Sequence, residues 1–195
     1  KKYLDQAIKL KTKNIRLLLP YAENIASEVV KWLKKDQNIE KIDCLGSLRR
    51  KCATVGDIDI LVASKNPSNT INQLISYPKR QKTIEQGKHT ASILLPGNIQ
   101  VDLLVMNPEN YGSALQHFTG SKHHNIALRE HALKKGFSLS EYGIKKVNNE
   151  KRISYRFKTE QELYSFLSLQ YIEPELREGA GEIHMATSGN LPQLV

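Results

Sequence analysis

Two aspartates one residue apart, Asp57 and Asp59, interrupt the run Val55-Gly56-Asp57-Ile58-Asp59-Ile60-Leu61-Val62. Just before it lies Gly46-Ser47-Leu48-Arg49-Arg50. Side chains two apart on a strand share a face, so the two carboxylates project together beside the turn. Like charges that close repel, and a cation is their natural partner. Hard oxygen ligands suit Mg²⁺, which binds through one or two carboxylates plus substrate phosphates. A second apolar run, Ile99 to Val105, carries Asp102. If the two strands are neighbours, three carboxylates converge as two-metal chemistry requires, with ions about 3.5–4 Å apart. One ion then holds a triphosphate and the other acidifies an attacking hydroxyl, with Asp102 placed to accept its proton. Metal-assisted phosphoryl or nucleotidyl transfer is the chemistry these residues permit. Alternatively, each aspartate caps a turn or pairs with an arginine.

The turn is suited to phosphate. Gly46 and Gly56 allow backbone N–H groups to approach closely. Ser47 adds a hydroxyl, and Arg50 a planar fork that matches phosphate oxygens. Arg49 is either structural or faces a carboxylate.

Farther along, Lys122, Asn125 and Arg129 fall at i, i+3 and i+7 of a helix that starts after Gly120. Ile126 and Leu133 are expected on another face, toward the core. The polar face can meet a nucleotide's sugar, its base edge and the neighbouring strand, or be a solvated surface. His117, His123, His124 and His131 surround this helix without an H-E-x-x-H pattern, and adjacent His123 and His124 diverge by about 100°. No zinc site is expected.

The elements that must position these groups follow from periodicity. Tyr21, Ala22, Ile25, Ala26, Val29, Val30 and Leu33 form an apolar stripe, predicting a helix over 20–35 with Pro20 in its first turn. Strands are predicted at 42–45, 58–63, 81–86, 90–95 and 99–105, with a hairpin turn at Pro96-Gly97-Asn98. A helix follows Asn66-Pro67-Ser68-Asn69 and runs through Ile75, with Ser68 as a possible start. Helices are predicted from 110 to a break at Thr119-Gly120-Ser121, over 121–135 with a glycine stop at Gly136, and over 160–169. Phe137–Gly143 and Ile153–Phe157 read as short strands around a basic turn. Residues 1–16 read as a basic helical piece, and 173–195 as an extended tail.

The chain has 195 residues and a formal charge of +9, from 29 Lys and Arg against 20 Asp and Glu. That excess favours a polyanion such as nucleic acid. No apolar run approaches the roughly 20 residues of a membrane span. Two cysteines, Cys44 and Cys52, make neither a disulfide framework nor a zinc site. A reducing cytoplasm fits, with Cys44 a buried thiol.

The succession G-S-x-R-R, T-x-G-D-I-D-I-L-V, V-D-L, H-F-T-G-S-K-x-H-N-x-A-L-R and E-Y-G resembles the family X DNA polymerases of the polymerase-beta superfamily, in order over about residues 20–180. Tyr171 to Ile183 is similar to the bacterial PolX branch, in which a PHP domain normally follows. The resemblance implies an α+β fold: a nucleotidyltransferase palm with a mostly antiparallel or mixed sheet flanked by helices, plus a small α+β thumb-like lobe. The expected divisions are 1–18 (end of a helical fingers domain), 19–108 (palm), 109–178 (thumb) and 179–195 (linker). It implies two Mg²⁺ ions, with Mn²⁺ able to substitute, held by Asp57, Asp59 and Asp102. It implies triphosphate contacts from Gly46, Ser47, Arg50 and Gly56, and a sugar pocket of His117, Phe118 and Gly120. Lys122 falls near the nucleotide, Asn125 at the base's minor-groove edge and Arg129 at the templating strand. The implied partners are gapped or primer-template DNA and a dNTP, with no membrane, for a monomer acting in repair. Leu104 stands where many relatives have an arginine that links palm to thumb near Glu141 and Tyr142. The N-terminal lyase and helix-hairpin-helix parts lie outside the chain, so weak DNA binding and no lyase activity are expected. Two other readings stay open: another nucleotidyltransferase acting on an RNA end or small molecule, and an inactive DNA-binding module.

Overall fold

The structure, a computed structural model, describes residues 16–147 and 153–194. The basic piece expected over 1–16 lies outside the described residues except for Arg16. The architecture is mixed α+β, the class that the sequence predicts.

Helix α1 (Leu19–Leu33) carries Pro20 in its first turn and buries Ala22, Ala26, Val29 and Leu33. Those positions repeat at helical spacing, so one stripe faces the core. Helix α2 (Gly46–Arg49) is the single turn of the glycine-serine motif. Helix α3 (Pro67–Ile75) starts at Asn66, whose side chain accepts from the Asn69 amide; Ser68 is not its cap. Pro67 occupies the first turn, where its missing N–H costs nothing.

Five strands form the main sheet: β2 (Ile39–Cys44), β4 (Ile58–Ser64), β5 (Lys82–Gln86), β6 (Thr90–Leu95) and β7 (Ile99–Met106). Their spatial order is β2-β4-β7-β6-β5. Only the β4–β7 pairing is parallel; the other three are antiparallel. A two-residue pair, β1 (Leu17–Leu18) with β3 (Thr54–Val55), forms a separate antiparallel ladder. Alternation gives the sheet two buried faces. Ile58, Ile60, Val62, Val101, Leu103 and Val105 pack with α1 and α3. On the other face Leu61, Ala63 and Met106 pack with Tyr111, Ala114 and Leu115 of helix α4 (Tyr111–Thr119). Asp59 and Asp102 continue that second face past the apolar cluster.

The second lobe comprises α5 (Lys122–Lys134), β8 (Phe137–Ser140), β9 (Gly143–Lys146), β10 (Ser154–Tyr155), α6 (Glu160–Phe166) and α7 (Glu182–Ser188). The three strands form an antiparallel sheet in the order β8-β9-β10. Leu128, Ala132, Leu139, Ile144, Phe157, Leu163, Tyr164, Ile172 and Ala186 make its core.

Four expectations for this lobe are corrected. Ile126 and Leu133 are exposed, and α5 buries His124, Leu128 and Ala132 instead. The predicted strand 137–143 is two strands joined at Glu141-Tyr142, and Lys145 and Lys146 pair within the sheet rather than forming a turn. The helix predicted over 160–169 stops at Phe166. The tail is not extended: Pro174–Leu176 forms a 3-10 turn, and α7 packs into the lobe's core through Ala186. No helix among the described residues is long and apolar enough to cross a membrane.

Candidate active site

Parallel pairing of β4 with β7 sets Asp59 directly beside Asp102. Asp57 lies at the bend entering β4 and is exposed. Burial, then the charges of Asp102 and Asp57, push the Asp59 carboxyl up to about 6. The three acidic groups therefore share one electrostatic neighbourhood, as the sequence predicts. They are not a finished cage: among the described residues, no group of three or more His, Cys, Asp or Glu is arranged to hold a metal ion. Unneutralised carboxylates repel one another. The Gln100 amide also donates to both Asp102 oxygens, at 2.9 and 3.0 Å.

The glycine turn sits against this group. The Leu45 amide donates to the Asp59 carbonyl, at 2.8 Å, tying the turn to β4. Gly46 has φ +56°, and a Cβ there would lie 3.1 Å from Asp59 Oδ2. Only glycine gives both that backbone conformation and that clearance. Ser47 is half-buried in α2, and Gly56 is half-buried ahead of Asp57. A cleft of about 380 Å³ opens here, lined in part by Asp59, Asp102, Thr90, Ser92, Leu104 and Phe118.

Phe118, at the end of α4 beside the α4–α5 corner, also lines the cleft. His117 and Phe118 stack edge-on with ring centroids 4.8 Å apart, and Phe118 is partly exposed. Burial holds His117 below its ordinary range, so its Nδ1 can accept from Arg129 at 3.2 Å. Asn125 donates to the His117 carbonyl at 2.7 Å and accepts from Gln116 at 2.8 Å. Gly120 has φ +68°, and Ser121 caps α5 by accepting from the His124 amide. Lys122 is exposed at the start of α5. His117, Phe118, Gly120, Asn125 and Arg129 thus form one corner, with Asn125 and Arg129 turned inward onto His117.

The two arginines of the turn cross to the second lobe. Arg49 donates to Thr119 Oγ1 at 2.6 Å and grips Glu160 through two bonds, at 3.0 and 2.6 Å. Glu160 is 2% exposed and also accepts from Arg177, at 2.6 Å, and Tyr171, at 3.0 Å. Both roles read for Arg49 in the sequence meet here: it faces a carboxylate, and that pair is structural. Arg50 donates to the Thr119 carbonyl at 2.5 Å and pairs with Glu178 at 3.3 Å. Leu104 packs with the Leu61–Tyr111 cluster, and Glu141 lies 4.0 Å from His117. The Arg49–Glu160 pair joins the lobes.

Sequence reasoning missed Gln100, Glu160, Arg177 and the buried His124–Glu182 pair. Gln100 was findable, since a residue two before Asp102 shares its strand face. The others join residues far apart in sequence and carry no local signal.

A family model described as DNA polymerase beta thumb matches residues 114–178. The DNA polymerase/3'-5' exonuclease PolX of Bacillus subtilis (strain 168) is 35% identical over 170 residues, 86% of this chain and 30% of that protein. DNA polymerase lambda of Rattus norvegicus is 30% identical over 161 residues, 68% of this chain and 28% of its own length. The Repair DNA polymerase X of African swine fever virus (isolate Warthog/Namibia/Wart80/1980) is 28% identical over 156 residues, 77% of this chain and 86% of the viral protein. The chain thus spans less than a third of the bacterial and rat relatives but most of the viral one. These matches agree with the cleft and the α+β fold around it, and the chain belongs to the family X DNA polymerases.

Proposed function

We propose that the chain is a Mg²⁺-dependent, template-directed nucleotidyltransferase that adds a dNTP to a primer 3'-OH in gap-filling DNA repair. The observation that carries this reading is the in-register pair Asp59 and Asp102 beside the glycine turn. Asp59, half-buried and repelled by two neighbouring carboxylates, has the hard-oxygen surroundings that a divalent ion relieves. Asp57, Asp59 and Asp102 would hold the ions. When bound, the ions stabilise the attacking and leaving oxygens of an in-line displacement.

The chain's own groups do the rest. Asp102 Oδ accepts the primer hydroxyl proton as the oxygen attacks the α-phosphate. The bond between the α- and β-phosphates breaks and pyrophosphate leaves. Ser47, Arg50 and the amides at Gly46 and Gly56 bind the triphosphate. His117, Phe118 and Gly120 bound the sugar, with Lys122 near the nucleotide. Asn125 and Arg129 reach the base edge and the templating strand after giving up their bonds to His117. The charge of +9 supports a nucleic-acid partner, and the viral relative's name supports repair.

The test is primer extension on gapped DNA, with and without Mg²⁺ and with each dNTP singly. Addition of the templated nucleotide, abolished by chelation, is expected. Template-independent addition would make the chain a different nucleotidyltransferase. Salt-sensitive DNA binding without turnover would make it a binding module.

A further inference from the structure

We propose that Glu182, acting through His124, is the positioning residue that fixes α5, and with it Asn125 and Arg129, against His117, so that residues 179–188 take part in nucleotide selection. The inference rests on the polymerase reading above and concerns a segment beyond the matched thumb residues 114–178.

Helix α5 has two faces. One carries Asn125 and Arg129 toward His117. The other buries His124 completely. His124 makes two directional bonds: Nδ1 lies 2.7 Å from Glu182 Oε1, and Nε2 lies 2.8 Å from the Tyr164 hydroxyl. Burial holds His124 below its ordinary range despite its acidic partner, and burial raises the Tyr164 hydroxyl. The ring is therefore neutral, donating from Nδ1 and accepting at Nε2.

Glu182 is 2% exposed and fully engaged. Its Oε1 also accepts from the Gly179 amide, at 2.9 Å, and its Oε2 accepts from the Ala180 amide, at 2.7 Å. Burial opposes its charge, but the His124 and backbone hydrogen bonds prevail and hold the carboxyl down at about 2. The loop lies on the first turn of α5. A Cβ on Gly179, at φ +79°, would come within 2.4 Å of His123 Cβ. The Ser121 amide donates to the Arg177 carbonyl at 3.1 Å. The start of α5 is thus held from one side by residues 177–182.

An apolar residue at 124 would bury as well but leave the helix free to rotate by a few degrees. Paired directional bonds in a dry interior remove that freedom. With side chains about 5–6 Å from the axis, a rotation of about 10° moves them about 1 Å. Displacements of that size cost a reaction up to about a hundredfold.

The test compares Glu182→Gln, His124→Phe and His124→Asn in the full chain. The side-chain amide that Glu182→Gln introduces faces the Ala180 N–H donor to donor, Phe removes both ring bonds, and Asn offers its Nδ2 donor to Glu182 in place of the ring Nδ1. Two quantities are read: hydrogen exchange of α5 amides, and single-turnover insertion of matched against mismatched dNTPs on gapped DNA. E182Q and H124F, folded at the assay temperature, should speed exchange in α5 while leaving β4 and β7 unchanged. They should narrow the matched-to-mismatched ratio about tenfold, with H124N restoring most of it. Unchanged exchange and unchanged discrimination in folded E182Q overturn the proposal, as does H124N behaving like H124F. If the unaltered chain inserts nothing, the polymerase reading falls and the selection role with it, while the exchange data still decide whether Glu182 positions α5.

Discussion

Asp59 and Asp102 lie side by side in register across the parallel β4–β7 pair, and the Asp102 charge adds to the cost of ionising Asp59. The Asp59 carboxyl, ordinarily near 3.8, is held up at about 6 by burial first and by its two acidic neighbours second. Raised in the fold, it costs nothing below about pH 4. The cost grows as the unfolded chain ionises and is complete above about pH 6. Asp59→Asn removes it, and partial exposure trims the gain to about 1–2 kcal/mol at pH 7. Thermal melts of metal-free protein should show the variant more stable by several degrees at pH 7 and equal at pH 4. Equal melting temperatures at both values would mean that the Asp59 carboxyl is not raised in the fold.

The Arg50–Glu178 pair occupies the arginine assigned to the triphosphate. Glu178 is 55% exposed, so the pair is worth about 1 kcal/mol or less. Glu178→Gln should therefore lower KM for dNTP up to about fivefold, with kcat little changed. Arg50→Ala should raise KM by tenfold or more. Steady-state kinetics on gapped DNA decides both; an unchanged dNTP affinity in Arg50→Ala would remove its assigned role.

Glu160 carries the joint between the lobes. It is buried between Arg49 and Arg177, whose attraction outweighs the burial penalty and keeps its carboxyl below the ordinary range. Removing it leaves the buried Arg177 and the half-buried Arg49 without their carboxylate, which costs about 3–5 kcal/mol. Glu160→Ala should lower the melting temperature by about 10 °C. Because the folded pKa is depressed, the stabilisation is present above about pH 4.5 and lost on acidification below that. A melt within a degree or two of the unaltered chain would contradict the role.

Much of this site was legible because its signals are local. D-x-D on an apolar strand, a glycine turn before it and a third aspartate in another apolar run need only the period of two to be read. The parallel pairing of β4 with β7 sets Asp59 beside Asp102. The α5 face was half legible: Lys122, Asn125 and Arg129 follow the helical period, but Ile126 and Leu133 were assigned to the core on polarity alone. His124 takes the core position because Glu182 and Tyr164, 58 and 40 residues away, satisfy its ring. Helix α7 escaped notice because its seven residues lie between Gly181 and Gly189, too short for a period to show. Its place is fixed by contacts across the lobe. The hairpin at Glu141-Tyr142 was hidden likewise, with its only turn-type residue, Gly143, at the start of β9 rather than in the loop.

Single-turnover insertion of one templated nucleotide into a gap, with Mg²⁺, by the unaltered chain and by Asp59→Ala tests the account most directly. Under the proposed two-ion mechanism, loss of Asp59 would remove a ligand of both ions and about 4 kcal/mol of transition-state stabilisation, a fall of about a thousandfold or more. Insertion by Asp59→Ala at close to the unaltered rate would contradict the carboxylate site and the mechanism built on it.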